Sequence, residues 1–148
     1  IFYFLYILVI PIFFLGNPWV HISGFFLMHF IAGFFLSTIF LCAHIVDQTD
    51  FPEPDNTGNI KKNWYLHQLE TTANFSNSKS FFSWFIGGLN YQIEHHLFPS
   101  ICHVHYHDIS KIVKKTAEEY NIPYHANHTF ISALKHHYKH LKLMGKSS

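Results

Sequence analysis

WVHISGFFLMHFIAGFFLSTIFLCAHIV, residues 19–46, runs without a single Asp, Glu, Lys or Arg. As a helix rising 1.5 Å per residue it would be about 42 Å long, more than the roughly 30 Å of bilayer hydrocarbon. Trp19 suits an interfacial anchor, and about 20 residues counted from it use up the hydrocarbon near Phe40. His44 then falls at the far membrane boundary. The preceding stretch IFYFLYILVIPIFFL, residues 1–15, is equally apolar but too short to span. Pro11 would kink that helix without forbidding it. Gly16-Asn17-Pro18 supplies strong turn chemistry between the two segments. The pattern predicts a membrane helical hairpin whose first helix is truncated. With no opening Met and no signal-peptide pattern, the chain is expected to be the C-terminal part of something longer.

The 148 residues are 49% hydrophobic and 13% charged, against about 25% charged in soluble domains. All ten lysines and all nine acidic residues lie at or after Asp47. That split predicts two parts, a transmembrane hairpin over 1–46 and a helical cap over 47–148. The lysine bias predicts a cytoplasmic cap on a multi-pass membrane protein. No nucleic-acid partner is expected. Cys42 and Cys102 form no framework and are expected to be small buried hydrophobes in a reducing compartment.

Within the cap, residues 47–60 read as a polar loop and residues 62–74 as a helix. A further helix, capped by Ser80 or Ser78, runs through FFSWFIGGLNYQIEHHLF to Pro99, with Gly87-Gly88 permitting a bend. Its aromatic first part, Phe81, Phe82, Trp84 and Phe85, suits a membrane interface. Asp108 is expected to cap ISKIVKKTAEEY, with Ile109, Ile112, Val113 and Tyr120 marking one face. Thr129 is expected to cap FISALKHHYKHLKLM, with Phe130, Leu134, Tyr138 and Leu141 as its apolar stripe and Gly145 as its stop. The predicted fold class is all-α.

Fourteen histidines are the outlying number, and YQIEHHLFP, residues 91–99, sets two side by side. On a helix, Gln92, His95 and His96 stand at i, i+3 and i+4 and project from one side. Glu94 points elsewhere, to fix a ring or meet the surface. Imidazoles among Tyr, Ile, Leu and Phe are poorly solvated, and buried polar groups need partners. His44 is followed one turn later by Asp47, a carboxylate placed to orient an imidazole. Asn63, His67 and Glu70 put an amide, an imidazole and a carboxylate on one helix face. His21 and His29 read better as helix–helix contacts, and His136, His137 and His140 as surface residues. Imidazole-rich coordination suits iron, copper, zinc or nickel. Beside an aromatic slot, such a site suits oxidative attack on a long apolar substrate.

QIEHHLFP, preceded by WFIGGLNY, closely resembles the QxxHH third histidine box of membrane fatty acid desaturases of the front-end type. AHIVDQTDFPEP resembles the end of that family's fourth membrane helix, HQLETTANF the following segment, and HVHYHDISKIVKK the stretch after the box. The resemblance implies two non-haem irons with O₂ as co-substrate, and insertion of a cis double bond into an acyl-CoA or acyl-lipid. It implies His95, His96 and His44 as metal ligands, with Gln92 and His67 as further candidates. Asp47, Glu70 and Asn63 would then support the ligands. Two more histidine boxes would precede residue 1, leaving the fragment inactive alone. A cytochrome b5-type or ferredoxin-type protein would donate electrons, docking on the lysine-bearing surface.

Three alternatives stand beside this reading. A membrane di-iron hydroxylase would use the same ligands. A non-catalytic haem-binding membrane protein would use His29 and His44. A structural hairpin would need none of these rings as ligands.

Overall fold

In the computed structural model, which describes residues 1–60, 63–76 and 81–146, the chain divides into two compact units, residues 1–38 and residues 39–148. The first unit begins with α1 (Phe2–Phe4), a π-helical turn (Leu5–Val9) and α2 (Ile10–Leu15). Pro11 has no N–H to give the carbonyl four residues back, and the ladder widens to i+5 just ahead of it. Gly16 and Asn17 adopt positive φ of 68° and 44°, the tight turn expected of GNP. α3 (Pro18–His44) follows. Its mean hydropathy is 2.1, and it is the one helix among the described residues long and apolar enough to cross a membrane. Phe26, Phe30 and Phe34 along it are exposed, an apolar surface that water does not favour. Within this unit the Tyr3 hydroxyl meets His29 Nε2 at 2.7 Å, and His29 Nδ1 lies 2.8 Å from the Phe25 carbonyl. Both nitrogens of His29 are thus engaged within this unit, as expected of a helix–helix contact.

The second unit holds α4 (Trp64–Thr71), β1 (Ala73–Phe75), α5 (Phe81–Phe85), α6 (Gln92–Leu97), a 3₁₀ turn (His103–His105), α7 (Tyr106–Glu119), β2 (His125–Asn127) and α8 (Phe130–Met144). The end of α3, from Ile39, belongs to it. Its core packs Ile39, Cys42 and Ala43 with Phe75, Ile86 and Ala133, flanked by Phe82, Leu89, Phe130 and Leu134. Small side chains at Cys42, Ala43 and Ala133 permit that packing. Both cysteines are free; Cys42 is buried as expected, whereas Cys102 is exposed.

Several sequence expectations are corrected. The unit is mostly helical but not all-α, because β1 and β2 pair in parallel with Asn74 opposite Ala126. The helix expected to reach residue 74 ends at Thr71, whose hydroxyl bonds back to the His67 carbonyl at 2.7 Å. Thr72 is already extended, and the next three residues are recruited by a strand some fifty positions later. Lys62, the expected start of that helix, and the Ser78 and Ser80 caps lie outside the described residues. The helix expected through Gly87-Gly88 is broken there, with φ of 63° and 71°. α7 starts at Tyr106, ahead of Asp108, and its buried face is Tyr106, Ser110 and Ala117, leaving Ile112 and Tyr120 exposed.

α8 is capped as expected, the Thr129 hydroxyl accepting from Ser132 N–H at 3.1 Å. Its orientation differs from the apolar stripe, since Tyr138 and Leu141 are exposed. The histidines expected at the surface are partly exposed, and each is engaged by the fold. His136 Nδ1 lies 2.6 Å from the Asp47 carboxylate, His137 Nδ1 lies 2.6 Å from the Ile45 carbonyl, and His140 stacks on Phe51. Lys139 reaches the other Asp47 oxygen. These contacts clasp the segment after α3 to α8.

Burial pushes the Asp47 carboxyl up, but the hydrogen bonds from Lys139 and His136 outweigh it and hold it below the ordinary value of 3.8. A depressed folded pKa contributes stability above the unfolded value and loses it as pH falls through the folded one. Because Lys139 is well exposed, only the His136 arm is sheltered. Asp47→Ala should therefore cost about 1–2 kcal/mol at neutral pH. In thermal melts of the full-length protein, variant and wild type should converge as pH falls below the carboxylate range.

Candidate metal centre

α6 owes its position to the chain on both sides of it. Gly88 lies where an added Cβ would come 2.8 Å from His103 Cβ and 3.3 Å from Tyr106. Only glycine permits that approach together with the left-handed φ. Asn90, fully buried, accepts from the Ser83 hydroxyl at 2.8 Å and donates to the Ser76 carbonyl at 3.1 Å. Its own carbonyl takes the Phe75 N–H at 3.0 Å. The chain thus arrives at Tyr91 already tied to β1, and the helix follows.

His96, on the last turn of α6, faces His44 at the end of α3. Their Nε2 atoms are 3.3 Å apart and the rings stand nearly perpendicular, 86° between planes. The His44 ring also lies against the Thr71 carbonyl and the Gln92 side chain. Burial first, then the neighbouring rings of His44 and His95, push the His96 pKa down to about 4. At neutral pH His96 is thus uncharged, the form in which imidazole binds metals. The His95 ring centre lies 5.8 Å from that of His96, and His95 Nδ1 is 3.4 Å from the Tyr106 hydroxyl. A ring that donates from Nδ1 to that oxygen presents Nε2 for a ligand bond.

Among the described residues, two buried polar atoms on α6 and α4 lack hydrogen-bond partners. Gln92 is buried, and its amide nitrogen is unpaired; His67 Nδ1, on α4 packed against α6, is likewise buried and unpaired. Orphaned buried polar atoms are uncommon and call for an explanation such as a missing ion or water. Neutral imidazoles with an amide are a donor set that suits a divalent transition metal. Among the described residues, however, no three His, Cys, Asp or Glu side chains gather as a metal-holding group. The donors fit iron in kind, and this chain brings two of them face to face.

Asp47 and Asn63 are engaged by other partners. Asp47 meets His136 and Lys139. Asn63 caps α4, its side chain accepting from Tyr65 N–H at 2.9 Å. The backbone carbonyl of Glu70 takes the Asp50 N–H at 2.9 Å. Glu94, expected to fix a ring or meet the surface, is fully buried and bonded to Asn74 and Tyr124. Tyr106, Asn74 and Tyr124 are absent from the sequence-derived candidates. Tyr106 stands within HVHYH, whereas Asn74 falls at the end of a stretch read as a helix, so nothing local marks it.

Comparison with known proteins bears on the same residues. The fatty acid desaturase family matches over residues 1–128. The sn-1 linoleoyl-lipid 6-desaturase of Synechocystis sp. is 43% identical over 117 residues, covering 78% of this chain and 33% of the relative. The acyl-lipid (8-3)-desaturase of Physcomitrium patens is 46% identical over 131 residues, 85% of this chain and 27% of the relative. The sn-1 linoleoyl-lipid 6-desaturase of Arthrospira platensis is 36% identical over 137 residues. The chain spans about a third of the length of these relatives. No solved structure matches. With the family matching across α3, α4 and α6, the elements that carry His44, His67 and the Gln92–His96 turn, the chain belongs to the fatty acid desaturase family.

Proposed function

We propose that this chain supplies part of the iron site of a membrane desaturase acting on acyl chains held in lipids. The observation that carries the reading is the facing pair His44 and His96, 3.3 Å apart and drawn from segments 52 residues apart. His44, His95 and His96 act as ligands; Gln92, beside His44, and His67, on the helix packed against α6, are further candidates that can bind directly or through water. Two non-haem irons with O₂, when bound, supply the oxidising power that removes two hydrogens from neighbouring methylenes to leave a cis double bond. The chain's own residues keep His96 uncharged through burial, orient the rings and limit the access of water to them. The relatives' names favour an acyl-lipid over a coenzyme A thioester. α3 spans the bilayer as one of several passes, with the histidines at its cytoplasmic end. Electrons come from a cytochrome b5-type or ferredoxin-type donor. The remaining ligands belong to the rest of the full-length protein, and the fragment alone is inactive.

Two measurements on the full-length protein test this reading. Metal analysis should give two irons per chain, and fatty-acid profiles of a host expressing it should gain one cis double bond. Gln92→His, which replaces an amide whose nitrogen is unpaired with a competent ligand, should retain iron and keep turnover within about tenfold of wild type. An iron-free protein with an unchanged lipid profile would refute the assignment.

A further inference from the structure

We propose that Asn74, Glu94 and Tyr124 form a buried clamp whose task is to fix the rotation of α6 and so aim His95 and His96. This inference rests on reading those two rings as iron ligands.

α6 is six residues long, and the Tyr91 side chain makes no capping bond. A helix so short has little stability of its own and must be held by its surroundings. The Asn74 side chain on β1 does that from two sides. Its Oδ1 accepts the Ile93 N–H at 2.9 Å, taking one of the orphan donors of the first helical turn. Its Nδ2 donates to Glu94 Oε2 at 2.7 Å and lies 2.8 Å from the Tyr124 hydroxyl. Tyr124, just ahead of β2, donates that hydroxyl to the other Glu94 oxygen at 2.9 Å. The three groups close a ring, and the parallel pairing of Asn74 with Ala126 keeps both donors in register.

Glu94 is fully buried, and these partners are an amide and a phenol rather than a cation. Burying a carboxylate is costly, and apolar packing of similar volume often serves stability as well or better. What the carboxylate adds is direction. It immediately precedes His95, so fixing its two oxygens fixes the turn of the helix about its axis. A 20° rotation of a helix about 11 Å across moves side-chain tips by about 2 Å. Ligand constellations tolerate roughly 0.5 Å. The clamp therefore acts on a motion large enough to spoil the site. These are positioning residues, since none of them meets the rings directly.

The test uses the full-length protein in membranes. Glu94→Gln keeps the shape but turns one acceptor into a donor facing a donor; Tyr124→Phe removes one donor at constant volume. Each should lower iron occupancy and kcat by about 10–100-fold, as loss of an outer partner does at metal sites. The KM for acyl-lipid and the melting temperature of the iron-free protein should stay near wild type. Combining Asn74→Asp with Glu94→Gln exchanges carboxylate and amide and restores the 74–94 and 124–94 hydrogen bonds while giving up the 74–124 one, so iron occupancy should recover in part. Iron occupancy within twofold of wild type in both single variants would overturn the proposal. So would a loss that the exchange fails to rescue and that tracks a falling melting temperature, because the network would then be merely structural. Failure of the ligand reading itself is told apart by the wild type, which would then hold no iron at all.

Discussion

In the full-length protein, His96→Ala should abolish desaturation, lowering product formation by more than about 100-fold, the upper end of what losing an outer partner alone costs. The protein should still reach the membrane fraction at wild-type abundance. His96 is only partly buried and sits at the end of a six-residue helix, so its removal leaves the core of Ile39, Phe75 and Ala133 intact. What disappears is one of two facing Nε2 atoms, and His44 then has no opposing ring. His95→Ala should behave alike. Fatty-acid profiles of the expressing host, with immunoblots of its membranes, read both quantities. Wild-type turnover in either variant would sink the ligand assignment.

The second large effect is expected at Gly88. Gly88→Ala forces a left-handed conformation on a residue with a Cβ and drives that atom to 2.8 Å from His103 Cβ. Strain and overpacking together should cost about 2–4 kcal/mol. Relief would require shifting the 3₁₀ turn and Tyr106, whose hydroxyl meets His95, so iron binding should suffer with stability. Gly87→Ala is the built-in control. It has φ of 63° but open space around the added Cβ, and should cost only about 1 kcal/mol. Thermal melts of the two variants side by side decide the matter; equal losses would mean that backbone strain alone explains Gly88.

How much of the site is legible in sequence differs from residue to residue. The adjacency of His95 and His96 in YQIEHHLFP is plain, and so is the placement of His44 at the end of an uncharged helix. Their meeting is not plain, because 52 residues separate them and no local pattern encodes that distance. Asp47 shows how a local rule misleads. One turn after His44 it looks built to orient that ring, yet His136 and Lys139 claim it from a helix ninety positions later. The histidines of α8 mislead in the same way. Polar and near the end of the chain, they suggest solvent, but an imidazole can serve a carbonyl or carboxylate of the fold as well as it serves water.

Composition and periodicity alone determine that α3 is long, uncharged and fit for lipid, that GNP turns the chain, and that Thr129 caps the last helix. These depend on neighbours within a few positions, where backbone geometry and solvation decide the outcome. Only the tertiary structure decides that TTANF leaves the helix for a strand, that Gly88 admits Tyr106 beside the histidines, and that Glu94 is buried rather than wet. Each of those outcomes needs a hydrogen-bond partner or a packing surface from a distant segment, and such pairing carries no signature in the local chain.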